Sequence, residues 1–195
     1  MKPEWRVQEA GHVIPRGLQI AVIEATAPGY PSIIPGSTLG GKTVINEWRR
    51  LADLFAYPDA SPTEKPSGNE RERAFENALS GGFTYVKWPK GSLEYIKAYR
   101  AWSNDFDELI RQTSERRRFI VTSDGQVGFG PEGAEKGDVV VIIPGGKVLY
   151  VLRRVEDSDC GVKRYRLLGD AFINDAMAGE KVDPSTSELT KIVIV

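Results

Sequence analysis

The sequence predicts an α+β protein in which an N-terminal strand and three helices pack with a C-terminal bent antiparallel β-meander or small barrel. Its apolar residues recur with a helical period of about 3.6 before Arg116 and with a strand period of about 2 after it. Two hairpin signals follow one another between Arg116 and Tyr165. Because the apolar runs there are short and separated by glycine-containing turns, they are typical of a small, strongly bent sheet.

Both hairpin signals consist of two apolar runs joined by turn residues. The first joins RFIVT to QVGFG through Ser123-Asp124-Gly125. An Asp-Gly step predicts a type I′ turn, which needs positive φ at both central residues. The second joins Asp138–Ile143 to Val148–Leu152 through Pro144-Gly145-Gly146-Lys147. These runs are rich in β-branched residues and too short for helices, so they predict paired strands.

The N-terminal part predicts one strand followed by three helices. Residues 17–27 alternate as a strand, with Leu18, Ile20 and Val22 on its main apolar face and Ile23 and Ala25 on the other. The first helix begins at an N-cap, Thr43, and its apolar stripe is Val44, Ile45, Trp48, Leu51, Ala52 and Phe55.

The second helix is predicted by a capping box, Ser67-x-x-Glu70, and by a stop at Gly81-Gly82. Its apolar face is Ala74, Phe75, Ala78 and Leu79, and the third helix runs from Ser92 to about Glu115. Residues 57–69 are proline-rich and predict a mobile linker. We therefore divide the chain into a mainly helical segment, residues 1–115, and an antiparallel β module, residues 116–195, with one shared core.

Composition excludes several classes of partner. The 195 residues are enough to bury about 70% of the unfolded surface. With 26 basic and 27 acidic residues the net charge is −1, so no overall field attracts nucleic acid or an anionic membrane. One cysteine and no apolar leader or spanning run predict a cytoplasmic, reducing location.

Gly36 to Thr43, GSTLGGKT, matches the phosphate-binding pattern G-x-x-x-x-G-K-[ST]. In a nucleotide site Gly36 and Gly41 would admit the phosphates, Lys42 would reach the β and γ phosphates, and Thr43 would hold magnesium. Only a two-residue apolar run precedes the motif, where a buried strand is required. The sequence therefore favours a glycine-rich connector that ends in an N-cap, and a nucleotide-binding protein is the alternative.

Other reactive groups do not form a recognisable site. His12 is the single histidine, Cys160 lies in a polar turn beside Lys163, and the calcium-like run Asp157-Ser158-Asp159 lacks later ligands. The aromatic and basic residues from Phe83 to Trp102 fit a helix core with solvated lysines better than a nucleic-acid surface. We expect no catalytic residue, metal or cofactor, although a small enzyme with an unrecognised pocket stays open.

Four motifs in the last third of the chain carry a family resemblance: FIVTSDGQVGFGP, GDVV, GGKVLYVLR and YRLLGD. They resemble the region that follows the death-inducing domain in fungal heterokaryon-incompatibility (HET) proteins. Phe172–Glu180 takes the place of the family's Y-V-x-G-I-M-x-G-E segment, with Asn174-Asp175 where a His-Gly pair is common. The HET domain's own Y-x-A-L-S-Y-x-W-G pattern does not occur in this sequence.

The resemblance implies a function but no catalytic residues. It implies a non-enzymatic accessory or interaction module in nonself recognition and programmed cell death, whose partner is an upstream HET domain or another protein. The terminal KIVIV run, read as a last strand, offers an exposed edge for that contact. The residues that match the pattern are expected to shape turns and bulges. They are Gly125, Gly128, Gly130, Gly137, Asp138, Gly145, Gly146 and Gly169.

Overall fold

The computed structural model describes residues 16–29, 39–55, 68–79, 110–155, 163–177 and 189–195, with residues 81, 179, 181 and 182. A helical turn at residues 110–114 precedes the main sheet. The other elements, in chain order, are β1 (Arg16–Ala27), α1 (Leu39–Phe55), α2 (Gly68–Leu79), β2 (Arg117–Thr122), β3 (Val127–Pro131), β4 (Val139–Ile142), β5 (Leu149–Val155), β6 (Arg164–Ile173), β7 (Thr190–Lys191) and β8 (Val193–Ile194).

Six antiparallel strands form a closed barrel in the order β2-β3-β6-β5-β4-β1, and β1 pairs back with β2. Of the two predicted alternatives, a bent meander or a small barrel, the barrel is confirmed, and the N-terminal strand β1 is one of its six strands. Of the three predicted helices, α1 and α2 are present. Residues 110–114 are the described part of the third, and the rest of that helix and the predicted linker up to Ser67 lie outside the described residues. Within the described ranges, no helix is long and apolar enough to cross a membrane.

Both predicted hairpins are confirmed, but the turn type predicted for the first is wrong. Gly125 has a φ of 80°, whereas Asp124 is not among the non-glycine residues with positive φ. The Gly125 N–H donates to the Thr122 carbonyl at 2.9 Å, and the Thr122 N–H donates to the Gln126 carbonyl at 2.9 Å. This is a longer loop in which one left-handed glycine forms a bulge, so only one position needs positive φ.

The second hairpin turns at Ile143 to Gly146. The Gly146 N–H donates to the Ile143 carbonyl at 2.8 Å, and Gly145 has a φ of 83°. Proline at the second position and a left-handed glycine at the third are typical of a type II turn. The paired strands β4 and β5 place Val139 opposite Leu152 and Ile142 opposite Leu149.

The prediction for the faces of β1 is wrong. Ala21 and Ile23 are buried, whereas Leu18, Ile20 and Val22 are only partly buried. The register of β1 shifts between Gln19 and Ala21, and Ile20 packs against the same buried cluster as Ala21 and Ile23. Alternation alone could not identify the inner face.

The barrel interior is filled by aliphatic side chains, which we call the interior core. Each of the six barrel strands except β3 contributes to it, and the loop between β3 and β4 adds one alanine. In a small barrel such side chains occupy the space that a larger barrel offers to a ligand. Its buried members are Ala21, Ile23, Ile120, Ala134, Val140, Leu149, Val151, Ala171, Ile173 and Ala176.

The two helices cover the outer face of β1, β2 and β3 and form the helix-side core. Trp48 of α1 stacks on Phe119 at 5.5 Å between ring centroids and meets Phe129 edge-on at 5.2 Å. Its indole N–H donates to the Pro28 carbonyl at 2.7 Å. Phe75 of α2 completes the aromatic group against Phe119. This core combines side chains from both sides of residue 115.

The start predicted for α1 is wrong, whereas the end predicted for α2 is confirmed. Leu39 is the first residue of α1, so Thr43 lies inside the helix and the N-cap prediction is wrong. The predicted apolar stripe is confirmed, since Trp48 and Ala52 are buried and Val44, Ile45 and Leu51 pack against the same cluster. The side chain of Phe55 lies outside the described part. The helix α2 ends at Leu79, and Gly81 follows with a φ of 64°, as predicted for a glycine stop.

The chain terminus forms two short strands instead of the predicted single one. β7 pairs with the start of β1, and β8 pairs in parallel with the start of β6. Ile192, between them, is buried against Val141, Ile143 and Leu152 on the outer side of β4 and β5. The KIVIV run is therefore part of the fold, because its central side chain fills a third core. Within the described residues β7 and β8 each pair on one side only, so an exposed edge for a partner stays a prediction.

Candidate functional site

The barrel has two differently built ends. At one end of the barrel, residues 131–138 connect β3 to β4, and we call it the loop end. The first residues of β2 and β6 and the last residues of β3 and β5 lie there. The opposite turn end carries the hairpin turn at residues 122–126. At the loop end Ala134 is fully buried in the interior core. The connecting loop thus closes the barrel interior on that side.

A buried carboxylate, Asp138, holds the loop in place. Its Oδ2 accepts the backbone N–H of Glu135 at 2.8 Å. Oδ1 accepts a hydrogen bond from Nε of Arg153 at 2.8 Å, and Oδ2 accepts one from Nη2 at 2.9 Å. This is the bidentate geometry in which a guanidinium and a carboxylate interact most strongly. A buried charge is tolerated at this position because it is both paired and hydrogen-bonded.

Arg153 connects the carboxylate to the rest of the loop. Its Nη2 also donates to the Gly133 carbonyl at 2.7 Å and lies 3.2 Å from Glu135 Oε2. The hydrogen bonds to Asp138 raise the pKa of Arg153 above its usual value, so the guanidinium stays charged. From β2, Arg118 Nη1 donates to the Ala134 carbonyl at 3.0 Å.

The backbone of the same residues continues the sheet. The Ile23 N–H donates to the Asp138 carbonyl, and the Gly137 N–H donates to the Ile23 carbonyl, both at 2.8 Å. Gly137 has a φ of 94°, which a residue with a Cβ rarely adopts. The Gly-Asp pair therefore turns the chain into β4 and supplies the buried carboxylate. We call Gly137, Asp138 and Arg153 the loop-end clamp.

The polar atoms of the clamp are engaged in holding the loop. Both oxygens of Asp138 already accept hydrogen bonds from protein groups, and the charge is balanced by Arg153. The side chains that the loop exposes are Glu132, Glu135 and Lys136. Rigidly held loops with exposed polar side chains are common recognition elements.

The turn end is held by a smaller and more exposed set of contacts. Thr122 Oγ1 donates to Asp124 Oδ1 at 2.6 Å, and Lys181 Nζ lies 2.5 Å from Asp124 Oδ2. Partial burial alone would raise the pKa of Asp124. The hydrogen bonds from Lys181 and Thr122 outweigh that effect and hold the pKa below its usual value.

The contact between β3 and β6 is the shortest part of the barrel ladder. It consists of two residue pairs, Gly128 with Ile173 and Phe129 with Phe172. A Cβ on Gly128 would lie 2.0 Å from the Phe172 carbonyl oxygen, so the strands approach closely only because this residue is glycine. Beyond the ladder, Arg117 of β2 forms an ion pair with Asp170 of β6.

The structure describes three of the four predicted phosphate-loop residues. Gly36 lies outside the described residues, whereas Gly41, Lys42 and Thr43 lie in the first turns of α1. The described residues do not test nucleotide binding, which stays a prediction. Titration with magnesium-ATP, compared with Lys42→Ala, would measure it.

The other predicted candidates fall outside the described residues. They are His12, Cys160, the run Asp157 to Asp159 and the aromatic segment Phe83 to Trp102. Within the described residues, no group of three or more His, Cys, Asp or Glu side chains could hold a metal ion.

The sequence analysis missed the partner of Asp138. It assigned Asp138 to turn formation, but not to a buried ion pair with Arg153. A signal was present, since the two residues belong to the motifs GDVV and GGKVLYVLR.

A second motif position is also explained. Asp175, where the HET segment has glycine, has a φ of 57°, and aspartate tolerates this conformation better than most residues.

Comparison with known proteins agrees with this geometry. The family model of the Het-6 beta-barrel domain matches residues 90–189. "Heterokaryon incompatibility protein 6, OR allele" of Neurospora crassa is 26% identical over 140 residues, which cover 64% of this chain and 20% of that protein. The chain thus spans about one fifth of the relative's length, and no solved structure matches significantly. Since the family match covers more than half of the chain, the chain belongs to the Het-6 beta-barrel domain family.

Proposed function

We propose that this chain is a non-enzymatic interaction module of a HET-type heterokaryon-incompatibility protein, acting in fungal nonself recognition and programmed cell death. The observation that carries the proposal is a family barrel whose interior is filled by aliphatic side chains. Such a barrel offers its surface for contacts, because its inside is occupied. The name of the Neurospora relative supports the biological process.

The charged groups of the barrel support a binding role over a catalytic one. Asp138 and Arg153 are engaged with each other and with the loop backbone, and Asp124 is engaged with Lys181 and Thr122. General acid–base catalysis needs a titratable group that can reach a substrate. The buried pair of Asp138 and Arg153 instead holds a surface loop that a partner can contact.

We further propose that the module lies downstream of a HET domain in a longer cytoplasmic protein and regulates that domain. The match to 20% of a longer relative and the motifs that resemble the region after the HET domain support this placement. Mapping the native transcript tests it directly. An in-frame HET domain upstream is expected, and a mature protein that starts at Met1 would contradict the placement.

The functional proposal is tested in fungal cells that carry an incompatible HET partner. We expect the intact chain to change the fraction of dying cells, measured with a vital dye, and to co-purify with the HET-domain protein. Asp138→Ala should abolish both effects because it releases the loop. Glu135→Gln is the matched control, since it removes only the more exposed partner of Arg153.

A chain that is folded and expressed but neither alters cell death nor binds the HET-domain protein would contradict the interaction role. Turnover of a substrate by the purified chain would contradict the non-enzymatic part. These two outcomes are measured independently, so each can fail without the other.

A further inference from the structure

The start of β6, at the loop end, carries two arginines on one face of the strand. Arg164 and Arg166 are two residues apart in the strand, so their side chains point to the same side, about 6.6 Å apart along the chain. Neither has an ion-pair partner in the parts of the chain that the structure describes. Arg166 is exposed, and the exposed Lys163 precedes the strand. We call Arg164 and Arg166 the cationic face.

A third arginine lies directly across from this face. Arg166 is the cross-strand partner of Arg153 on β5. Like charges in this position repel each other and destabilise a sheet. The fold balances Arg153 with the buried Asp138 and with Glu135, but it provides no carboxylate for Arg166 in the described residues. Among the described residues, the positive charge of Arg153 and Arg166 is therefore only half compensated.

We propose that the cationic face binds an acidic protein segment in extended conformation, with carboxylates at alternate positions. Alternate side chains of an extended segment point the same way and repeat at about 6.6 Å, which matches the spacing of Arg164 and Arg166. Guanidinium groups bind carboxylates through paired hydrogen bonds. This proposal rests on the interaction role proposed above and names the chemistry of the partner.

Charge distribution favours a protein segment over nucleic acid. The net charge of the chain is −1, and Glu132 and Glu135 are exposed on the adjoining loop. A nucleic acid would bring the negative charges of its phosphates close to these carboxylates, which would repel them. A short acidic segment can contact the arginines alone.

Fluorescence anisotropy with the full 195-residue chain tests the proposal. The probe is a short labelled peptide of alternating glutamate and serine, and the comparison peptides replace glutamate by lysine or cluster the glutamates at one end. We expect saturable binding of the alternating peptide that weakens with added salt, and weaker or no binding of the others. The double variant Arg164→Gln/Arg166→Gln should raise the Kd by about tenfold or more.

Arg50→Gln is the matched control, because Arg50 is exposed on α1, away from the barrel end. It should leave the Kd unchanged, and all variants should keep the melting temperature of the parent. Absence of saturable binding, or equal Kd values for the double variant and the parent, would overturn the proposal. So would tighter binding of a single-stranded DNA of equal charge, or a dimer in sedimentation that the double variant dissociates.

The incompatibility assay separates this failure from that of the function. If the intact chain alters cell death but does not bind the alternating peptide, only the docking proposal is wrong. If the peptide binds and the double variant still alters cell death as the parent does, the cationic face is not used in incompatibility. The proposal that it docks the natural partner is then overturned.

Discussion

The two ends of the barrel use the same chemical pairing, a carboxylate with a cation, in different surroundings. At the loop end Asp138 is 3% exposed and bound by two nitrogen atoms of one arginine. At the turn end the side chain of Asp124 is 36% exposed and bound by one lysine nitrogen. Breaking a buried pair leaves an uncompensated charge, whereas an exposed pair is replaced by water.

This difference separates two roles for charge in one small fold. The turn between β2 and β3 already has a glycine bulge and backbone hydrogen bonds, so its ion pair adds a modest contribution. The loop at residues 131–138 also has backbone hydrogen bonds, but its ion pair is buried, so water cannot replace either partner without cost. We therefore expect substitutions at the loop end to cost more than substitutions at the turn end.

Asp138→Ala should have the largest effect. It leaves Arg153 without its bidentate partner and the Glu135 N–H without an acceptor, and losses of this kind cost about 3–5 kcal/mol. Chemical denaturation of both proteins at neutral pH measures the change. The control Glu135→Gln should change the free energy of unfolding by less than about 1 kcal/mol. Equal effects of the two substitutions would show that the buried pair is not the main contact.

Arg153→Lys should have the next largest effect. Lysine keeps the charge but cannot donate two parallel hydrogen bonds to Asp138 and a further one to the Gly133 carbonyl. We expect a loss of about 1–3 kcal/mol, measured by the same denaturation experiment. A double-mutant cycle with Asp138→Ala should show coupling, and additive effects would contradict the bidentate pairing.

Gly137→Ala tests the backbone part of the clamp. Nothing lies within 4 Å of a Cβ at this position, so the cost comes from the φ of 94° alone. We expect a loss of about 1–2 kcal/mol, read from thermal unfolding. Gly133→Ala is the matched control in the same loop, because it also meets nothing within 4 Å and needs no positive φ. A loss at residue 133 equal to that at residue 137 would exclude strain as the cause.

Asp124→Asn should have the smallest effect and a defined pH dependence. We expect a loss of up to about 1 kcal/mol at neutral pH, because the pair with Lys181 is partly exposed. The pKa of Asp124 is lowered in the folded state, so its contribution is present above the unfolded pKa of about 4 and is lost as pH falls through the folded pKa.

The measurement for Asp124 is urea denaturation of parent and variant between neutral and acidic pH. The two stabilities should converge below pH of about 4. A difference that stays constant with pH would show that the carboxylate charge does not contribute.

The local parts of this fold could be predicted from the sequence, and the closure of the barrel could not. Turn residues such as Gly125 and Gly145 indicated both hairpins because their conformational requirement is local. The pairing of Ile23 with Thr122 joins residues on opposite sides of the helical segment, and no pattern in either strand specifies that partner. A meander and a barrel therefore had equal support before the structure.

The site was partly predictable for the same reason. Gly137 and Asp138 were recognised as a turn, since a glycine-aspartate step has a local signature. The identity of the arginine that neutralises Asp138 depends on the register of β4 and β5, which places Arg153 at the barrel end. Arg118, Arg154 and Arg166 were equally plausible partners in the sequence alone.

The position of β1 in the barrel has a consequence for any shortened version of this protein. The family match covers residues 90–189, yet β1, β7 and β8 lie outside that range, and β1 is hydrogen-bonded to β2, β4 and β7. A fragment cut at the matched limits would expose the edges of β2 and β4 and would be prone to aggregate. The barrel is thus assembled from segments on both sides of the helices, and excising it as one continuous piece removes a strand that closes it.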